Sequence, residues 1–394
     1  VGSHRTKIFE ADGGGEELMK AHQFVTALSY GDAIGDYTLE IQRILRANGY
    51  ESEIYSEIVH PRMAKNVRPM FDYEFHQSDD VLMIVHFSIG SELGLFVPYT
   101  RGKKMLIYHN ITPHQWFVNI NSLLAYQCLV GRKQLENLRP YCPMSLADSE
   151  YNRLELEKLG FERTGVLPIR LNFDKFNAKP DSPTLRLYDD NRTNIIVVGR
   201  AIPNKRLEDC LKAFTYYQKY INPLSRLIFV GLWGGFEPYF FALRNMVTDL
   251  GAQEVVFTGH IQFEEILAYY KVADALLIMS EHEGFCVPLL EAYYMNVPVV
   301  AWDACAIPYT AGQGGVLANG EKKDFAAIGE MLGKICSDSD LRSRVLDAQQ
   351  KQLRAQGDFP FEQTLLKSLE ELKTLPSLYR EDGNTTVPAA SVKE

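Results

Sequence analysis

The sequence predicts two doubly wound α/β domains in tandem, their parallel sheets facing each other across a cleft. Three observations carry this expectation. The chain has 394 residues, more than a single hydrophobic core usually organises. Short, continuously apolar runs alternate with amphipathic helical patterns along most of it, as parallel strands buried on both faces do. The pattern also restarts after a polar, proline-bearing stretch at residues 177–193, which reads as a linker.

In the first domain, residues 1–176, strands are expected at 23–30, 50–57, 81–88, 103–111 and 161–169. Between the first two, residues 37–48 carry Leu39, Ile41, Ile44 and Leu45 at helical spacing and stop at Gly49, a residue suited to a left-handed cap. The second domain, residues 194–357, repeats the plan with strands at 194–200, 226–232, 254–260, 275–280 and 297–302. Two helical patterns follow at 340–356 and 361–373. The second of these, within residues 358–376, is expected to reach back to the first domain, and residues 377–394 form a polar tail. Ligands of such Rossmann-like sheets bind beyond the carboxyl ends of the strands, so the cleft is the place to look for a site.

Composition narrows the function. Apolar residues make up 46% and charged residues 23%, as in globular domains and unlike disordered chains. A net charge of -9 argues against a nucleic-acid partner, whose phosphates demand Lys and Arg. The six cysteines lie without close pairs, so neither a zinc ribbon nor a disulfide framework is indicated, and a reducing cytoplasm fits. No apolar run approaches the roughly 20 residues that span a bilayer, and the opening residues contain no hydrophobic signal segment. A cytoplasmic location is therefore expected, with peripheral contact at the inner face of a membrane left open.

The densest chemistry lies at residues 280–292, SEHEGFCVPLLEA, where Glu283 and Glu291 stand eight residues apart across a strand-to-helix turn. Pro288 suits a first helical position, so the amides of Phe285, Cys286 and Val287 are expected at a helix entrance, where the dipole favours anions. Glu291 in the first turn would grip a vicinal diol such as a ribose, and Glu283 a second hydroxylated group. Gly284 would let backbone approach the ligand. After the first strand of the second domain, Gly199, Arg200 and Lys205 supply two cations. Each full charge about 4 Å from a phosphate contributes about 4 kcal/mol at an effective dielectric near 20, enough to stand in for a divalent metal. Gly35, at the first helix, would admit a phosphate from the opposite side, and Ile261 joins the donor-binding set. His86 and His109 each end a strand and suggest a polar rim on the cleft. The aromatic loop 113–117, with His114 and Trp116, is the expected acceptor contact, although Trp116 fits a core position equally well.

Taken together, these residues resemble the retaining glycosyltransferases of family four. The most specific element is the Glu283-x7-Glu291 pattern set in Ser-x-x-Glu-Gly-Phe, and the lesser motifs fall in the expected order over nearly the whole chain. Asn172-Phe173-Asp174 looks like that family's domain crossing without its usual glycine, Pro308-Tyr309 stands where Pro-Glu is common, and the usual double glycine near the first helix is reduced to Gly35-Asp36. The resemblance implies a GT-B fold and retaining transfer from a nucleotide sugar to a saccharide or lipid-linked acceptor, polysaccharide biosynthesis being the expected setting; a hexose carried on UDP is the expectation from base rates and not from the likeness. It implies no cofactor and no divalent metal, with the departing phosphate helping to deprotonate the acceptor. By the same likeness Glu291 holds the ribose, and Glu283 with the amides of residues 284–287 holds the sugar and β-phosphate. Arg200 and Lys205 neutralise the leaving diphosphate, and His109 touches the sugar. Two other readings share this cleft: an inverting GT-B transferase or epimerase, and a non-catalytic nucleotide-sugar-binding protein.

Overall fold

The computed structural model describes residues 18–29 and 32–381, the side chains of 74–76 excepted. Tyr30 and Gly31, expected in the first strand and its turn, lie outside the described residues, as does the tail from residue 382. The first domain runs β1 (Ala21–Leu28), α1 (Ala33–Ala47), β2 (Ile54–Val59), β3 (Arg68–Pro69), β4 (Leu82–Phe87), α2 (Glu92–Phe96), β5 (Lys103–Tyr108), α3 (Ser122–Leu138), β6 (Met144–Ala147), α4 (Glu150–Lys158) and β7 (Thr164–Val166). Its seven strands are parallel, in the order β3-β2-β1-β4-β5-β6-β7.

The second domain comprises α5 (Ser182–Tyr188), β8 (Thr193–Val198), α6 (Leu207–Tyr220), β9 (Ser225–Val230), α7 (Glu237–Leu250), β10 (Val255–Phe257), α8 (Phe263–Val272), β11 (Ala275–Ile278), α9 (Val287–Tyr294), β12 (Val299–Trp302), α10 (Ile307–Ala311), β13 (Val316–Ala318), α11 (Phe325–Ser337) and α12 (Ser339–Gly357). Its six parallel strands follow the order β10-β9-β8-β11-β12-β13. Strand order reverses between β1 and β4 in one sheet and between β8 and β11 in the other. Those two switch points define where a crevice opens.

Local chemistry explains the elements that carry the site. Helix α1 buries Tyr37, Ile41, Ile44 and Leu45 on one face, each such side chain contributing roughly 1.5–3 kcal/mol, and the Tyr37 hydroxyl donates to the Leu167 carbonyl at 2.9 Å. The helix ends before Gly49, whose φ of 80° is the left-handed turn expected there. Residues 177–193 are not an unstructured linker. Asp181 caps α5 by accepting from the Thr184 amide, and Pro183 sits in the first turn, where a missing N–H costs nothing. Tyr188 then packs on Tyr269 of α8 at 5.3 Å between ring centroids, so this helix belongs to the second domain.

The last helix, α13 (Phe361–Thr374), crosses back to the first domain. Its Phe361 ring meets Tyr37 at 5.6 Å, Glu362 accepts from Asn48 at 3.0 Å and Glu370 from the Tyr50 hydroxyl at 3.1 Å. The chain beyond it is held as well: the Leu378 carbonyl accepts from the buried Lys104 ammonium at 2.7 Å. The first part of the expected tail is thus packed structure.

Candidate functional site

The loops after β8 and β11 meet at the switch point of the second sheet. Gly199, at φ 133°, leaves room for the Lys205 side chain, whose Cε would stand 3.1 Å from an added Cβ. The Lys205 ammonium donates to Glu283 Oε1 at 2.7 Å, and the Ser280 hydroxyl donates to the same oxygen at 2.8 Å. Burial works against the Lys205 charge, but Glu283 outweighs it and the pKa lies above its ordinary value. Asn204 staples the two loops, donating to the His282 carbonyl at 3.0 Å and accepting from the Glu281 amide at 2.9 Å. Behind them the buried Lys323 ammonium reaches Asp209 at 2.9 Å, Glu281 at 3.1 Å and the Met279 carbonyl at 2.8 Å. Sequence reasoning missed Asn204, Asp209 and Lys323, because nothing local marks a lysine that folds back over a hundred residues onto another helix.

Helix α9 starts at Val287, with Pro288 in its second position rather than its first. Cys286 caps it at φ 72°, a left-handed conformation that costs a non-glycine residue roughly 1–2 kcal/mol. The Phe285 carbonyl is fixed by the Thr310 hydroxyl at 2.6 Å. One turn on, Glu291 accepts from the Tyr270 hydroxyl at 2.8 Å. Burial raises its carboxyl pKa, and Tyr270 and Lys175 offset this only in part. Ile261, past β10, packs on the adjoining apolar core.

Arg200 lies exposed at the cleft, its guanidinium 5.2 Å from the Phe236 ring centroid. Crowding lowers its pKa, and the charge of Asp32, reaching across from the first domain, works the other way. Asp32 is accessible yet ringed by protein, and that desolvation raises its own pKa. Gly35 is buried in α1, where an added Cβ would stand 2.7 Å from the Ser29 carbonyl oxygen. Its missing side chain therefore serves the seat of α1 on the end of β1.

The first domain meets this site at Gly284, and here three expectations change. A Cβ on Gly284 would lie 2.7 Å from Asn110 Cβ and 3.0 Å from the His109 carbonyl oxygen, so the space its missing side chain leaves is taken by the opposite domain. The Gly284 carbonyl accepts from Ser149 Oγ at 2.7 Å and Asn152 Nδ2 at 3.1 Å. His109 does not face the cleft with a free nitrogen: its ring contacts His86 at 3.0 Å and Asp148 at 3.3 Å. His86 is buried, its second nitrogen against Gln23 Oε1 at 3.0 Å, and burial holds its pKa well below the usual value. Neither histidine forms a solvent-facing rim, since the Tyr37 ring of α1 packs edge-on against both, 6.0 Å from His86 and 5.5 Å from His109. Ser149 had a readable signal as the cap of α4, accepting from the Asn152 amide at 3.2 Å.

His114 and Trp116 sit together on a short turn. Trp116 packs on the first-domain core and lies 5.9 Å from the Arg206 guanidinium, while neighbouring Phe117 contacts Phe236 at 5.9 Å. This turn is thus an interdomain contact. A cavity of about 720 Å³ lies elsewhere, between α1 and the chain crossing, lined by Asp36, Glu40, Arg43, Arg170, Asp174 and Lys175. None of His86, His114 and Trp116 lines it. Among the described residues no cluster of His, Cys, Asp and Glu is arranged to hold a metal ion, and no helix is long and apolar enough to cross a membrane.

Two parallel-sheet domains with charge and a helix entrance at their facing switch points are the GT-B architecture. Solved structures agree: sucrose-phosphate synthase from Thermosynechococcus elongatus superposes with a TM-score of 0.68 at 14% identity, covering 89% of this chain and 98% of that one. Anabaena HepE in complex with UDP and glucose superposes with 0.69 at 15%, covering 90% and 100%.

More particularly, residues 185–352 match the family Glycosyl transferases group 1, so the second domain is a glycosyltransferase family domain. Among similar curated proteins are the GDP-mannose-dependent alpha-(1-6)-phosphatidylinositol monomannoside mannosyltransferase of Mycolicibacterium smegmatis, 30% identical over 42% of this chain and 46% of the relative. Another is the O-antigen chain mannosyltransferase RfbU of Salmonella typhimurium, 32% identical over 27% of this chain and 29% of that protein. The chain thus spans less than half the length of the curated relatives it matches.

Proposed function

We propose that this protein transfers a hexose from a nucleoside diphosphate sugar to a saccharide or lipid-linked acceptor, with retention of configuration and without a metal ion. The observation that carries this is the Lys205–Glu283 pair at 2.7 Å beside the entrance of α9. An ammonium already held in place needs only to exchange its carboxylate partner for a phosphate oxygen as the glycosidic bond breaks. Stabilisation then grows with the charge on the leaving group, which is what accelerates the step. Arg200 adds a second cation from the solvent side, Glu291 receives the ribose hydroxyls, and the amides of residues 284–287 face the β-phosphate. Glu283, released from Lys205, accepts from the sugar hydroxyls. The acceptor enters from the first-domain side.

UDP is the carrier expected from the sequence, whereas the name of the Mycolicibacterium smegmatis relative favours GDP-mannose. Both donors are therefore offered, with EDTA present, to the purified protein and a panel of saccharide and lipid-linked acceptors, and the product anomer is read by NMR. A retained anomer is expected. An inverted product or epimerised free donor would point to the alternative GT-B chemistries, and tight nucleotide binding without any transfer or donor hydrolysis would point to a binding protein.

A further inference from the structure

The first-domain face of the cleft contains a hydrogen-bonded chain that takes one residue from each of four neighbouring strands or strand ends: Gln23 in β1, His86 in β4, His109 after β5 and Asp148 after β6. Its directions can be worked out link by link. The Gln23 amide nitrogen donates to the Thr38 carbonyl at 3.0 Å, so Oε1 faces His86 Nε2 and can only accept. His86 Nε2 therefore carries a hydrogen. A buried neutral imidazole has one N–H, which leaves His86 Nδ1 bare, and it accepts from His109 Nε2 at 3.0 Å. The two rings lie 6° from parallel with centroids 5.3 Å apart, a separation that accommodates an in-plane N–H···N hydrogen bond.

His109 Nδ1 then meets Asp148 Oδ2 at 3.3 Å. If His109 were neutral and Asp148 ionised, two bare acceptors would face each other in the interior, an arrangement that buried polar groups do not adopt without a hydrogen between them. Both side chains are almost fully enclosed, at 1% and 2% exposure, so water cannot relieve the contact. The other groups facing His109 are the Tyr37 ring of α1 at 5.5 Å and the Asp32 charge at the start of that helix. Asp148 Oδ1 is occupied by Asn152 Nδ2, and Asn152 in turn donates to the Gly284 carbonyl. The chain thus ends on the backbone of the loop that leads into the left-handed Cys286 cap.

We propose that Gln23, His86, His109, Asp148 and Asn152 form a buried brace that holds one proton between His109 Nδ1 and Asp148 Oδ2 and fixes the Gly284 carbonyl, positioning the 284–287 turn for a donor diphosphate. His109 is then a positioning residue, both of its ring nitrogens being committed to His86 and Asp148. The positioning half rests on the glycosyltransferase reading of the site; the proton half does not.

Proton NMR of the full-length protein with ¹⁵N-histidine labelling, at pH 7, tests the first half. One strongly deshielded, solvent-protected proton is expected in the wild type. It disappears in His109→Phe and in Asp148→Asn, whose amide supplies its own hydrogen to Nδ1 and so keeps the chain bonded without the extra proton. A wild-type spectrum lacking that signal overturns the proposal. Calorimetric titration with UDP and with GDP tests the second half. Asn152→Ala is expected to retain the deshielded proton while weakening binding of the nucleotide about tenfold, and Ser149→Ala, which removes the other donor to the same carbonyl, serves if Asn152→Ala does not fold. Wild-type affinity in a folded variant overturns the positioning role. Wild-type protein that binds neither nucleotide overturns the glycosyltransferase reading instead, and the NMR result still decides the proton.

Discussion

The two faces of the cleft are polar in opposite ways. On the second domain, Lys205 and Glu283 keep 17% and 12% of their side-chain surface accessible, and each could exchange its partner for a ligand atom. On the first domain, His109 and Asp148 keep 1% and 2%, and their bonding groups are committed to neighbours in the same sheet or on α4. The difference separates two tasks. On the proposed reading, charge that would respond to a developing phosphate is placed on loops that can re-pair, while the groups that set the geometry of those loops are sealed in the opposite domain and donate across the cleft through Ser149 and Asn152. A site divided in this way is complete only when the domains are together.

The comparison breaks first at Lys205. Lys205→Ala removes the cation and leaves Glu283 half-buried without its partner, and a lost transition-state charge contact typically costs about 10²–10³ in rate. We expect kcat to fall by about 10³, with Lys205→Arg recovering part of it; a steady-state assay showing normal kcat and only a raised donor KM would assign the lysine to ground-state binding. Gly284→Ala attacks the same site from the other side. The residue does not use a left-handed φ, so the obstacle to a methyl group is steric, chiefly Asn110 Cβ at 2.7 Å and the His109 carbonyl at 3.0 Å. Displacing a reacting group by about 1 Å costs about 10²-fold. The variant should keep its circular dichroism, lose roughly that much kcat/KM, and give a larger radius of gyration in solution scattering than the wild type.

The unequal legibility of the two faces has the same physical origin. Glu283, Lys205 and Arg200 could be found in the sequence because strand-end loops of the second sheet carry their chemistry locally, within a few residues of Gly199 and Gly284. The brace could not, since Gln23, His86, His109 and Asp148 become neighbours only through the order β1-β4-β5-β6, and each alone looks like an ordinary strand residue. Fold class was readable from the buried runs of both sheets. Short strands were not: β6 has four residues and β13 three, too few to show a period. Residues 161–169 and 254–260 were expected as longer strands than the three residues each retains. Pro183 was misleading, since a proline that breaks a helix interior is welcome in its first turn.

A smaller effect is expected at Arg200, which is exposed and rests on Phe236 without an ion-pair partner among the described residues. Water competes for the groups it would touch, so Arg200→Ala should slow transfer by only about tenfold, and that factor should shrink as ionic strength rises. A loss as large as that at Lys205, insensitive to salt, would mean that Arg200 becomes enclosed when the donor binds.

Glu291 gives the mildest substitution and the clearest dependence on pH. Glu291→Gln keeps the volume and one acceptor oxygen, so only the charge-assisted part of its bonds to a ribose is lost, about 1 kcal/mol or a few-fold in Kd. Burial raises the Glu291 pKa in the free protein, so the carboxylate is lost on acidification earlier than an ordinary glutamate would lose it. Donor affinity of the wild type should therefore rise with pH as the carboxylate forms, while that of the glutamine variant stays flat on this account. Calorimetric titrations with UDP and GDP from pH 5 to pH 8 should show the two proteins converging at the acid end and separating toward neutrality. Parallel curves would mean that the carboxylate of Glu291 does not meet the nucleotide, and the contrast between a responsive second-domain face and a sealed first-domain face would then rest on Lys205 and Glu283 alone.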